Sequence, residues 1–165
     1  MATPTQRVVE RLRDLLQGEA GLRQSVAALR DRPESILRAP EDAQVRIIHT
    51  AAELLEKSGV DKYPVFQVYV DRVRNRMTEK FHRFSGTVQV VTEVRVSQDR
   101  LEGLTDELQF YADAVADVVE RNRGSLGEGM VLSGIYEIAF DPVKKGGLHY
   151  QQTARVTCEV DLSRH

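Results

Sequence analysis

The chain has 165 residues, enough for one domain with a real hydrophobic core. Its 23 lysines and arginines face 25 aspartates and glutamates, and a formal net charge of -2 excludes a global field that would recruit nucleic acid or an acidic membrane. No apolar run approaches the roughly 18–20 residues of a spanning helix, no uninterrupted signal core opens the chain, and the single cysteine, Cys158, permits no internal disulfide and points to synthesis in a reducing cytoplasm.

In chain order, the first predicted element is a helix over Thr5–Gln17. Thr5 is its expected cap, and Val8, Val9, Leu12, Leu15 and Leu16 recur at helical spacing. Gly18 and Gly21 loosen the chain, and the charged stretch up to Gln44, punctuated by Pro33 and Pro40, predicts a short helix and an irregular connection. A further helix is expected over Ala43–Lys57, with Ile48, Ala51, Ala52 and Leu55 on one face and Gly59 past its end.

After Pro64 the period shortens to two. In "VFQVYVDRVRN", Phe66, Val68 and Val70 alternate with Gln67, Tyr69 and Asp71, the pattern of a half-buried strand. A charged connection closed by Ser85 and Gly86 leads to "TVQVVTEVRVS", with Val88, Val90, Val94 and Val96 inward and Gln89, Glu93 and Arg95 outward. Arg100–Arg121 is the strongest predicted helix, capped by Asp99, with Leu101, Leu104, Leu108, Tyr111, Val115 and Val118 in one stripe. "NRGSLGEG" is a glycine-rich loop before "MVLSGIYEIAFDPV", a third strand with Tyr136, Ile138 and Phe140 on one face. The fourth carries Ala154, Val156, Cys158, Val160 and Leu162 inward, and Thr153, Arg155, Thr157, Glu159 and Asp161 outward.

The expected fold is therefore a single α+β domain with element order α-α-β-β-α-β-β: an N-terminal helical part (1–59) and a core (60–165) whose antiparallel four-stranded sheet packs helices on one face.

Signals for chemistry are sparse. His49, His82, His149 and His165 are dispersed, and none makes an i, i+4 pair, so no metal site is expected. Cys158, on an inward strand face, reads as a small apolar core residue. "GSLGEG" and "KKGG" do not match a phosphate loop and precede no helix, so their glycines read as turn residues. No titratable pair suggests a general acid and base, and neither an enzyme nor a cofactor is expected. With no tryptophan and few aromatics, a base-stacking platform is not favoured. Arg72, Arg74, Arg76, Lys80 and Arg83 cluster against one acid, Glu79. With Lys144 and Lys145 they form a candidate basic lip for a nucleic-acid backbone, and the balanced net charge favours a solvated edge or an ion-pairing subunit surface instead.

The segments "KYPVFQVYVDRVRN", "EKFHRFSGTVQVVTEVRVSQDR" and "YEIAFDPVKKGGLHYQQTARVTCEVD", within about residues 60–162, resemble the tail terminator or tail completion proteins of tailed bacteriophages. The resemblance implies a structural role in the virion. Copies of the chain would form a hexameric ring at the head-proximal end of the tail tube, stop its polymerisation and meet the head connector, after assembly in the host cytoplasm. DNA would pass through the lumen without specific binding, and neither a cofactor nor a membrane is involved. Candidate subunit or tube contacts are the loop Lys144, Lys145, Gly146 and Gly147, and the loop from Gly124 to Gly129, with Gly127 and Glu128. Another neck or connector protein is the nearest alternative, and a nucleic-acid-binding module using the arginine cluster is a further one.

Overall fold

The computed structural model describes residues 2–30, 37–51, 54, 62–76 and 84–164. Helix α1 spans Pro4–Leu16. Thr3, not Thr5, caps it: the Thr3 hydroxyl accepts the Gln6 N–H at 3.3 Å, and the Gln6 side chain accepts the Thr3 N–H at 2.8 Å. This reciprocal box satisfies two otherwise orphaned donors, and Pro4 fits the first helical position because no N–H is needed there. Val8, Val9, Leu12 and Leu16 enter the core.

Helix α2, Leu22–Leu29, buries Leu22 and Val26. It is tied to the long helix α3, Leu104–Arg121, because Arg121 donates to the carbonyls of Ala20 and Gly21 and to the Ser25 hydroxyl, and also pairs with Asp117. The apolar stripe of α3 is the predicted one from Leu104 onward. Leu101 lies before the helix and is exposed, and left-handed Gly103 takes the cap position expected for Asp99.

Between α2 and the first long strand, the expected helix over 43–57 gives way to a 3-10 turn, Asp42–Gln44, and a short strand β1, Val45–Ile47. Gln44 donates to the carbonyls of Lys62 and Pro64, which holds this stretch beside the start of the next strand. The β-branched Val45 and Ile47 suit a pleated neighbour better than a helix. Of the rest of that expected helix, residues 48–51 are not helical, Leu54 is, and residues 52, 53 and 55–57 lie outside the described residues.

The strands are β2 (Val65–Asn75), β3 (Phe84–Gln98), β4 (Gly124–Gly127), β5 (Met130–Phe140), β6 (Lys144–Gly146) and β7 (His149–Arg164). They form one seven-stranded sheet in the order β1-β2-β3-β7-β5-β4, with β6 also paired to β7. The expectation of an antiparallel four-stranded sheet is thus corrected. The α+β character holds, but β1 lies parallel to β2 and makes the sheet mixed, and three short strands extend it. The glycine-rich strands β4 and β6 pair with strands only a few residues further on, but at three or four residues they are too short to show an alternation. Ser85 and Gly86, expected to close a loop, lie inside β3.

The helices cover one face of this sheet. Phe66, Val68, Val88, Val90, Val94, Val96, Ala154, Val156, Cys158, Val160 and Leu162 join the buried side chains of α1, α2 and α3 in one core. The first 30 residues therefore complete the same core as the strands. Burial pushes the Cys158 thiol up to about 12, aided by the charge of Glu159, so it stays a neutral apolar filler at physiological pH. Among the described residues, no helix is long and apolar enough to cross a membrane.

Candidate functional site

The second face of the sheet is polar, and a backbone irregularity decides what it displays. Strict alternation from Phe66, Val68 and Val70 would carry Arg72, Arg74 and Arg76 into the core. A bulge at Asp71 inserts one extra residue, so Val70 pairs with Val90 but Arg72 pairs with Gln89 and Arg74 with Thr87. The three arginines consequently stand on the polar face, where they line a shallow cleft with Thr87, Gln89 and Glu159. Acidic groups meet them there. Arg76 approaches Asp161 at 3.4 Å, Thr87 donates to Asp161 at 2.9 Å, and Gln89 donates to Glu159 at 3.3 Å. Of the remaining predicted cluster, Lys80 and Arg83 lie outside the described residues.

Lys144 and Lys145 do not extend this patch. Lys144 is level with Gln151 on β7, whereas Arg72 is level with Glu159. Eight residues of strand separate those levels, about 26 Å at roughly 3.3 Å per residue. The expected continuous basic lip is therefore two separate features.

The two candidate contact loops also part. Gly124–Gly127 is strand β4, and Glu128 and Gly129 turn the chain into β5 beside Ser163. Helix α1 grips this hairpin: Arg11 donates to the Leu126 carbonyl, and Arg7 bridges Glu128 at 3.4 Å. At the other end of β7, β6 pairs Gly146 with His149, and the Gly147–Leu148 tip projects with Leu148 almost fully exposed. Lys145 lies over the Tyr150 ring, 5.8 Å from its centre. Fourteen residues of β7 separate His149 from Ser163, about 46 Å of strand at roughly 3.3 Å per residue. The molecule thus presents a different loop at each end of its strands.

Between these ends lies a group whose burial sequence reasoning missed. Glu93 and Arg95 face the polar side as expected, yet both are more than nine-tenths buried, and the first half of β2 is buried on both faces. The chain after β1 crosses over them. Thr50 donates its N–H to Gln67, Arg95 reaches the Thr50 carbonyl, and His49 stacks on Tyr69 with ring centres 3.7 Å apart. Under this cover Arg95 pairs with Glu93 at 2.8 Å, and Arg155 lies 3.9 Å from the same carboxylate. Arg155 also forms a two-pronged bond with Asp141, which holds the Asp141 carboxyl below its ordinary range and raises the guanidinium. Burial, then the Glu93 charge, push the Tyr69 hydroxyl up to about 12. The signal available in sequence was the Glu-x-Arg spacing, which sets opposite charges on one side of a strand.

This network is compensated by pairing and engages the fold's own backbone, as a structural lock does. Among the described residues, no group of three or more His, Cys, Asp or Glu side chains is placed to hold a metal ion. His82 and His165 lie outside the described residues. No protein-family model matches the chain, and no curated protein matches it.

Proposed function

We propose that this chain is a virion structural protein of a tailed bacteriophage: a tail terminator whose copies cap the head-proximal end of the tail tube as a ring and join it to the head connector. Such a part must meet copies of itself sideways and two different partners along its axis. One observation carries the reading: distinct loops stand at the two ends of the long strands, the β4–β5 hairpin at one and the Lys144–Gly147 hairpin at the other. The sequence resemblance over residues 60–162 supports it independently.

Particles assembled without this chain are expected to carry tails of uncontrolled length that fail to join heads, as seen by electron microscopy. Replacing Lys144 and Lys145 by glutamate should leave tail length controlled and reduce head joining, because the reversed charges alter one rim only. Infectious particles with normal tails in the absence of the chain would overturn the reading.

The alignment of Arg72, Arg74 and Arg76 favours a second reading, a nucleic-acid-binding module. It requires duplex binding by the isolated chain, and Arg72→Gln with Arg74→Gln should then lower the salt slope by about two counterions. Under the tail reading, Glu159 and Asp161 offset part of the row's charge, and purified chain binds duplex weakly with little response to these changes.

A further inference from the structure

Resting on the ring reading, we propose how copies join: the short edge strands β1 and β4 of neighbouring molecules fill one shared column between β2 of one copy and β5 of the next. The register places them at opposite ends of opposite edges. β1 pairs with Phe66–Val68, a level continued through β3 and β7 to Ile138–Phe140 of β5. β4 pairs with Met130–Leu132 of β5, a level continued back to Val73–Asn75 of β2. Among the described strands, each edge therefore steps out where the other is recessed.

Strand direction agrees with this fit. From β2 through β3 and β7 to β5 the pairing is antiparallel at every step, so β5 runs opposite to β2. β1 runs parallel to β2 and would meet the neighbour's β5 antiparallel. The edge of β5 is ready for a partner. The Asp141 N–H donates to Thr153, and by antiparallel alternation the backbone groups of Tyr136, Ile138 and Phe140 point away from β7. No described strand pairs with them. An edge of this kind, without lysine or proline and with Glu137 as its one charge, invites another strand.

Side chains match as well. Ile47 on β1 and Phe140 on β5 are 41% and 44% exposed, and both lie on the helix-bearing side of the sheet. On the polar side, Arg46 is level with Ala139, next to Glu137. A two-fold pairing of β5 with itself fits poorly, because the neighbour's chain beyond Phe140 would run into β4. A repeated head-to-tail contact can close as a ring.

The test uses two single-cysteine additions in the full chain, Arg46→Cys and Ala139→Cys. These positions are level across the proposed junction, within the separation a disulfide spans, and the native Cys158 is buried. Mild oxidation should give a doubled mass in the mixture of the two variants and none in either alone. The double variant should give a ladder of linked copies. Doubled mass from either variant alone, a ring without cross-links in the mixture, or a monomer at the highest soluble concentration each overturns the junction. The tail reading is judged separately by the particles lacking the chain, so a different ring contact would leave it standing.

Discussion

Arg95→Leu should destabilise the protein by about 3 kcal/mol, lowering the melting temperature by roughly 10 °C for a chain of this size. The Glu93 carboxylate would remain buried with its nearest cation lost, and Arg155, at 3.9 Å and already engaged by Asp141, compensates only in part. The strand would also lose the bonds from Arg95 to the Thr50 carbonyl and the Thr153 hydroxyl. The double change, Glu93→Leu with Arg95→Leu, should recover most of that loss. Removing both partners eliminates two desolvation costs at once, and Arg95 already carries a buried Nη1 without a partner among the described residues. Chemical denaturation of the two single variants and the double variant measures the coupling. A single-variant loss below about 1 kcal/mol would show that Glu93 does not depend on Arg95, as in an exposed pair.

How much of this was legible in sequence depended on the range of the interactions involved. The stripe of α3 and the alternation from Ala154 to Leu162 are local periodicities, and both place their apolar residues in the core. The faces of Glu93 and Arg95 were legible for the same reason. Their burial was not, since the cover comes from His49 and Thr50, some forty residues earlier in the chain. The helix expected over 43–57 rested on the spacing of Ile48 and Ala51, but parallel pairing with β2 determines the fate of Val45–Ile47. No local pattern announces a parallel partner.

The arginine row is a subtler case. Its even numbering continues that of Phe66, Val68 and Val70, so alternation and charge gave conflicting instructions for one strand. Burying three guanidinium groups against the helices would cost far more than one unpaired residue, and the bulge at Asp71 resolves the conflict. The turns at residues 128–129 and 147–148 were recognisable from their glycines, whereas the short strands β4 and β6 leading into them were not. Their positions at opposite ends of the sheet follow only from the register of β5, β6 and β7.

The second large effect concerns one of those turns and separates its structural glycines from its accessible ones. Gly127 and Gly129 both have positive φ, at +84° and +78°, and Glu128 between them is left-handed too. At Gly127 an added Cβ meets nothing within 4 Å, so Gly127→Ala carries only the backbone penalty, about 1 kcal/mol. At Gly129 the same Cβ would overlap the Ser163 carbonyl oxygen. The Ser163 N–H donates to the Gly129 carbonyl at 3.0 Å, and this bond fixes the turn against the end of β7. Neither side can retreat cheaply, because both are backbone. Gly129→Ala should therefore cost about 3 kcal/mol, combining left-handed strain with overpacking. Urea denaturation should show a clear gap between the two variants. Equal losses would mean that the β4–β5 turn is not held against Ser163, and would remove the fixed end of the molecule on which the shared edge column depends.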